Sequence, residues 1–176
     1  MAKGMKICAA VSTAAALVCV LLCLYLESSV LLTLAITFAA TAYHFDMRLL
    51  VGVLVNGIFH NRMDCTHKWF RLRPFEATLY AALHVKRWKG KLPTYAPEWF
   101  SLRTHSPEEI AQAMCQAEIV HEIIVVLSFL PLCVVPRFGA FWVFLITSLL
   151  SAGFDLLFVV AQRYNRPRVL RLARRR

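Results

Sequence analysis

His121 and Glu118 stand three residues apart in the run Ala117-Glu118-x2-His121. On a helix that spacing makes them neighbours on one face. A carboxylate that accepts from one imidazole nitrogen fixes the tautomer and raises the basicity of the other. Such a pair is the working half of a general-base dyad. Glu-x-x-His is also a short and common pattern, and its bland alternative is a group of side chains solvated at a water interface, Glu122 among them. Asp155 is a further acid, inside the last long apolar run. Ionisable residues at membrane depth are expensive without a purpose. Asp155 could reach His121, as a third catalytic group, or an arginine, as a structural partner.

Two basic motifs could hold an anion. Val85-Lys86-Arg87-Trp88-Lys89-Gly90-Lys91-Leu92-Pro93 is one, with Lys86, Trp88 and Lys89 as candidate substrate contacts. Gln162-Arg163-Tyr164-Asn165-Arg166-Pro167-Arg168 is the other, and its Arg163, Tyr164, Asn165, Arg166 and Arg168 offer donors for a phosphate or carboxylate. Both could instead be anchors for a membrane surface. His44, His60, His67, His84 and His105 show no paired spacing and are expected to be structural. No GxSxG, P-loop or GxGxxG is present, which leaves covalent serine hydrolysis and Rossmann nucleotide binding without support. Cys8, Cys19, Cys23 and Cys133 lie in apolar runs and only Cys65 and Cys115 in polar sequence. With no CxxC pair, neither a metal site nor a disulfide framework is expected.

The elements that must position these residues are membrane helices. Hydrophobic residues are 59% of the 176, and charged residues only 17%. The apolar residues fall in runs too long for a soluble core of this size, which excludes disorder, a collagen-like fibre and a secreted disulfide scaffold. The net charge is +10, but the basic residues flank apolar runs. The expected partner is therefore an anionic membrane surface and not nucleic acid.

Ile7 to Leu26 is long enough to span, and it ends without a signal-peptidase-like site. Val30 to Tyr43 is a short second span, and Leu49 to Phe59 is expected to be re-entrant, interfacial or a kinked continuation of it. Residues 1–59 thus form an N-terminal membrane segment. Residues 60–117 form a cytoplasmic or interfacial region with nine basic and five acidic residues, rich in aromatics. Within it Phe75 to Val85 reads as an amphipathic helix ended by Lys91-Leu92-Pro93, and Ser106-Pro107-Glu108-Glu109 as a helix start. Residues 118–161 form a membrane hairpin with its turn at Pro136-Arg137, and residues 162–176 a basic tail of seven arginines. The fold class is all-α, an integral membrane protein of about four transmembrane helices. The positive-inside rule puts both termini and the middle region on the cytoplasmic side of the cell membrane.

Taken together, Phe75-Glu76-x3-Tyr80, the Val85-to-Pro93 stretch, Ala117-Glu118-x2-His121 and the Gln162-to-Arg168 string resemble the glycosyl-4,4'-diaponeurosporenoate acyltransferases. These are small bacterial membrane enzymes of staphyloxanthin-type carotenoid synthesis. The resemblance covers roughly Phe70 to Arg171 and departs from the family where Asp155 stands in place of an Asn. It implies transfer of a fatty acyl group to a sugar hydroxyl of a glycosylated carotenoid or related glycolipid. The acyl donor, an acyl-CoA or similar, would be a co-substrate, with no bound cofactor. His121 would be the base and Glu118 its orienter, while Arg163, Asn165 and Arg166 would stabilise the oxyanion or hold the donor's phosphates. Two other classes fit the same composition. A membrane methyltransferase acting on a lipid would take its group from a soluble cofactor. A non-enzymatic lipid-binding protein would need the basic clusters but not the Glu118–His121 pair.

Overall fold

The computed structural model describes residues Ala2–Arg174; Arg175 and Arg176, part of the expected basic anchor, lie outside them. Helix is the only regular secondary structure among the described residues. The helices are α1 (Ala2–Leu26), α2 (Ser29–Phe59), α3 (Pro74–Ala82), α4 (Val85–Trp88), α5 (Pro107–Leu127), α6 (Val135–Phe138) and α7 (Phe141–Ala173). Four stretches are long and apolar enough to cross a membrane: Lys3–Leu26, Ser29–Phe59, Pro107–Phe138 and Phe141–Ala173. The first, of 24 residues, reaches about 36 Å against a hydrocarbon core of about 30 Å. Large apolar side chains point outward along these helices; Leu24 is 75% exposed and Leu150 is 70% exposed. Surface of that kind is stable against acyl chains and not against water.

The chain forms two compact units. One takes the chain up to Val51 together with Ile124–Gly153, and the other takes Gly52–Ile123 and everything from Phe154 on. The divisions fall within α2, α5 and α7.

The first unit is held by small residues and a few polar links. Ala9, Ala16, Ala35, Ala40 and Ala152 are buried, and small side chains of this kind let helix backbones approach closely. Several polar groups in the apolar helices bond to their own backbone or across to a neighbour. Thr33, Thr37 and Thr41 donate to the carbonyls four residues back. Thr13 donates to Asp46 at 3.1 Å. Arg48 donates to the His44 carbonyl at 3.0 Å and to the Ser151 hydroxyl at 2.9 Å. Asp46 and Arg48, the charges that separate the Val30–Tyr43 and Leu49–Phe59 runs in the sequence, therefore do not interrupt the helix. Of the three expectations for Leu49 to Phe59, the structure shows continuation of the second helix and not a re-entrant or interfacial piece, because the charges ahead of it have partners.

Two other sequence expectations shift. The expected turn at Pro136-Arg137 lies at Gly139 and Ala140, which carry φ of 65° and 52°. Pro136 instead occupies the first turn of α6, where its missing N–H is no loss. The residues expected to be a basic tail continue α7 as helix to Ala173, with Pro167 inside it.

The second unit carries the polar chemistry. His60 and Asn61, at φ of 49° and 59°, stop α2. The Asn61 N–H donates to Gln116 Oε1 at 2.7 Å, and the Gln116 amide donates to Asn56 at 3.1 Å. Helix α3 opens with Pro74, and Glu76 Oε1 accepts from the Arg73 N–H at 3.1 Å. It ends at Ala82, earlier than the Lys91-Leu92-Pro93 stop, because His84 takes the left-handed conformation at φ of 50° and α4 begins in a new direction. Helix α5 opens with a reciprocal cap: Glu109 N–H donates to Ser106 Oγ at 3.2 Å, and Ser106 N–H to Glu109 Oε2 at 2.8 Å. Removing the Ser106 hydroxyl should lower stability by about 1 kcal/mol. Thermal unfolding of Ser106→Ala and Ser106→Asp in detergent checks this. The alanine variant should unfold at lower temperature and the aspartate variant should recover most of the loss.

Candidate active site

The second unit brings α3, the part of α5 before Ile124 and the last turns of α7 around one set of charges. Glu76 and Glu118 are 4% and 0% exposed, and Arg166 is 1% exposed. Ions so far from water must be paired and hydrogen-bonded to be tolerated. Here they are. Arg163 Nη2 lies 2.5 Å from Glu76 Oε1, and its Nη1 lies 2.5 Å from Glu118 Oε1. Its Nε donates to Glu76 Oε2 at 3.1 Å. The remaining N–H groups reach the Trp69 carbonyl at 3.2 Å and the Arg71 carbonyl at 3.1 Å. All five guanidinium donors are thereby used. Arg166 donates to the second oxygen of Glu118 and to the Phe70 carbonyl, and its guanidinium lies over the Phe70 ring at 5.1 Å. The three-residue step from Arg163 to Arg166 places both on one face of α7, so one carboxylate can hold both.

These contacts correct two sequence assignments. Glu118 accepts from Arg163 and Arg166, and the carboxylate that meets the His121 ring is Asp155 instead. Arg163 and Arg166 are not open donors for an oxyanion or a phosphate, because one has no donor to spare and the other is sealed in the interior. They join the α3 and α5 carboxylates to α7 and to the carbonyls of the 69–71 segment.

His121 Nδ1 instead meets Asp155 Oδ1 at 2.7 Å. The carboxylate is 1% exposed and the imidazole 22% exposed. The ring stacks on Phe158, 4.6 Å between centroids at 11°. Donation from Nδ1–H to Asp155 would leave the lone pair of a neutral ring on Nε2, and the stack holds the ring plane. That is the arrangement of a general base with its orienting acid.

Of the other candidate residues, some line two grooves, and Trp88, Lys89 and Asn165 line neither. Lys86, Tyr164 and Arg168 line a groove of about 510 Å³. Lys89 donates to Asn165 Oδ1 and lies 4.9 Å from the Tyr164 ring centroid. Burial, with Arg168 and Lys86 close by, pulls the Lys89 ammonium below its ordinary value. The Trp88 indole N–H donates to the Leu83 carbonyl at 2.9 Å. A second groove of about 240 Å³ is walled by Trp69, Phe75, Glu76, Leu79, Glu122 and Arg163, and Trp69 donates to Glu122 at 2.7 Å. Tyr80 belongs to both grooves and donates to Glu76 Oε2. His121 lines neither. No group of three metal-ligating side chains occurs among the described residues.

Sequence reasoning missed Glu76 as the partner of Arg163. The signal was present in Arg73-Pro74-x-Glu76, a helix start whose acid is drawn to the first turn, and in the Glu76–Tyr80 spacing of one helical turn. It also missed that Cys65 and Cys115 meet, at 3.1 Å between sulfurs, since they stand 50 residues apart.

With this geometry in view, comparison with known proteins gives the family. The family model described as glycosyl-4,4'-diaponeurosporenoate acyltransferase matches residues 66–175, well over half of the chain. The protein belongs to that family. No curated protein and no solved structure shows a significant match to the chain. The matched region contains every charged residue of the Arg163–Glu76–Glu118–Arg166 network and the His121–Asp155 pair.

Glu76 makes the network pH-dependent. Burial alone would raise its carboxyl, but the Arg163 hydrogen bonds, then the Tyr80 hydroxyl and the Arg73 N–H, outweigh it and hold the group below the ordinary value. A carboxyl lowered on folding stabilises the fold above its unfolded value, about 4.3, and the gain is lost as pH falls through the lower folded value. Unfolding temperature should therefore drop across the acid range more steeply in the native protein than in Glu76→Gln. Parallel curves from pH 7 to pH 3 would show that Glu76 is not coupled to Arg163.

Proposed function

We propose that this protein is a multi-pass enzyme of the cell membrane that moves a fatty acyl group from a thioester donor to a hydroxyl of a lipid-like, glycosylated acceptor. The family name supports acyl transfer, and a glycosylated carotenoid acid is the acceptor that name suggests. The observation that carries the chemistry is the His121–Asp155 pair at 2.7 Å, a partly exposed imidazole backed by a buried acid.

In this reading the acceptor hydroxyl gives its proton to His121 Nε2 as its oxygen attacks the thioester carbonyl. Asp155 stabilises the imidazolium that forms. As the tetrahedral adduct collapses, the C–S bond breaks and the imidazolium returns the proton to the leaving thiolate. Atoms balance: a thioester and an alcohol become an ester and a thiol, and His121 is regenerated. The four apolar stretches keep the lipid-like acceptor and the acyl chain in the membrane. The basic excess of residues 60–117 and of the end of α7 supports a cytoplasmic site and cytoplasmic termini.

Positioned general-base catalysis contributes about 10²–10⁴-fold in rate. His121→Ala and His121→Gln should each lose about that factor in acyl transfer, measured in membranes with labelled acyl donor, while both proteins still accumulate and insert. Asp155→Ala should lose rate with little change in KM, since it acts on the base and not on substrate binding. Near-full activity of His121→Gln would remove the base role. Label incorporated from S-adenosylmethionine and not from acyl-CoA would replace acyl transfer with methyl transfer.

A further inference from the structure

The larger groove has a charge that the rest of the second unit does not account for. Its wall carries Lys86, Arg87, Arg168 and Arg171, with His84 beside them, and no carboxylate. Arg163 and Arg166, one turn away on α7, are neutralised by Glu76 and Glu118. Lys86, Arg87, Arg168 and Arg171 form no salt bridge among the described residues. Four cations without a salt bridge among the described residues, converging on one cavity, repel one another unless an anion joins them.

The local folding brings them together. The left-handed turn at His84 redirects the chain between α3 and α4. That turn puts Lys86 and Arg87 on the wall that Arg168 and Arg171 share, one helical turn apart on α7. Arg168 is held in place: its guanidinium lies 3.6 Å over the Tyr164 ring and donates to the Tyr164 carbonyl. Tyr164 in turn meets Tyr80 edge to face at 5.7 Å. The floor is apolar, from Leu72, Ala77, Ala81 and Pro167. A groove of about 510 Å³ is the size of a small-molecule site and much larger than inorganic phosphate.

We propose that this groove binds the phosphorylated carrier of the activated acyl group, with Lys86, Arg87, Arg168 and Arg171 on its phosphates. The identity of the ligand rests on the acyl-transfer reading, while the anion site rests on the charges and the cavity. Arginine forks suit phosphate oxygens, and several phosphates on one molecule match several cations on one wall. The apolar floor suits the pantetheine arm of such a carrier. An anionic lipid headgroup offers the same phosphate chemistry, and the test separates the two.

Full-length protein in neutral-lipid nanodiscs is titrated with coenzyme A, which carries the phosphates and no acyl group. Arg87 and Arg171 are the residues to change, because their side chains make no hydrogen bond or ion pair among the described residues, so the fold does not depend on them. Coenzyme A should bind, weakening as salt rises. Arg87→Gln with Arg171→Gln should bind at least about tenfold more weakly, a loss of about 1.4 kcal/mol. Pantetheine, which lacks the nucleotide phosphates, should bind far less, and His121→Gln should bind as the native protein does. Equal binding of coenzyme A by the double variant, or of pantetheine by the native protein, overturns the proposal. So does binding of anionic phospholipid at this groove with no binding of coenzyme A, which would make the ligand a headgroup. Coenzyme A bound through these cations with no acyl transfer would leave the site standing and remove the transferase reading. Acyl transfer with the donor KM unmoved in the double variant would do the reverse.

Discussion

Two carboxylates that have lost water, Glu76 on α3 and Glu118 on α5, set the terms for the second unit. A buried ion is tolerated only if its partners replace the hydration it gave up. Arg163 and Arg166 supply that replacement from one face of α7, and the carbonyls of Trp69, Phe70 and Arg71 take the donors left over. The consequence is geometric. A loop, a short helix and two long helices are tied through hydrogen bonds that have no slack, since Arg163 has no donor unassigned. Such a network favours one arrangement over near alternatives, because any shift leaves a charge unpaired away from water.

The network also sorts the basic residues by role. Arg163 and Arg166 belong to the same seven-residue motif as Arg168, yet only Arg168 lines the larger groove. Burial separates them: Arg166 is sealed, Arg163 is saturated, and Arg168 lies on an exposed part of the helix. The acids sort in the same way. Glu118 is committed to arginines, while Asp155 faces an imidazole that keeps some contact with the surface. Charge that holds the fold and charge that could act on a substrate are thus interleaved along two helices, one turn apart.

Much of the architecture was legible in the sequence because a membrane helix is specified by length and hydropathy, which are local properties. The four apolar stretches, the Ser106 cap and the basic middle region all follow from short windows of residues. The continuity of α2 was one of three readings open for Leu49 to Phe59, and short windows could not choose it, because the fate of Asp46 and Arg48 depends on Thr13 and Ser151, far away in the chain. The site was legible in composition but not in pairing. Glu-x-x-His within one helix suggested the Glu118–His121 pair, whereas the contact that forms runs between helices, from His121 to Asp155. A local spacing rule cannot weigh that against an arginine arriving from α7. The same limit hid Glu76, whose partner lies 87 residues on, and the meeting of Cys65 with Cys115.

The claim on which the rest depends is that Glu118 and Arg166 are one buried unit and not two independent charges. A double-mutant cycle on unfolding in detergent measures this directly, using Glu118→Gln, Arg166→Met and the two combined. Each single change leaves the buried four-residue network with one uncompensated charge, so the double variant should be more stable than the sum of the singles allows, with a coupling of at least about 2 kcal/mol. Additivity to within about 0.5 kcal/mol would contradict the account, because it would mean that neither charge depends on the other.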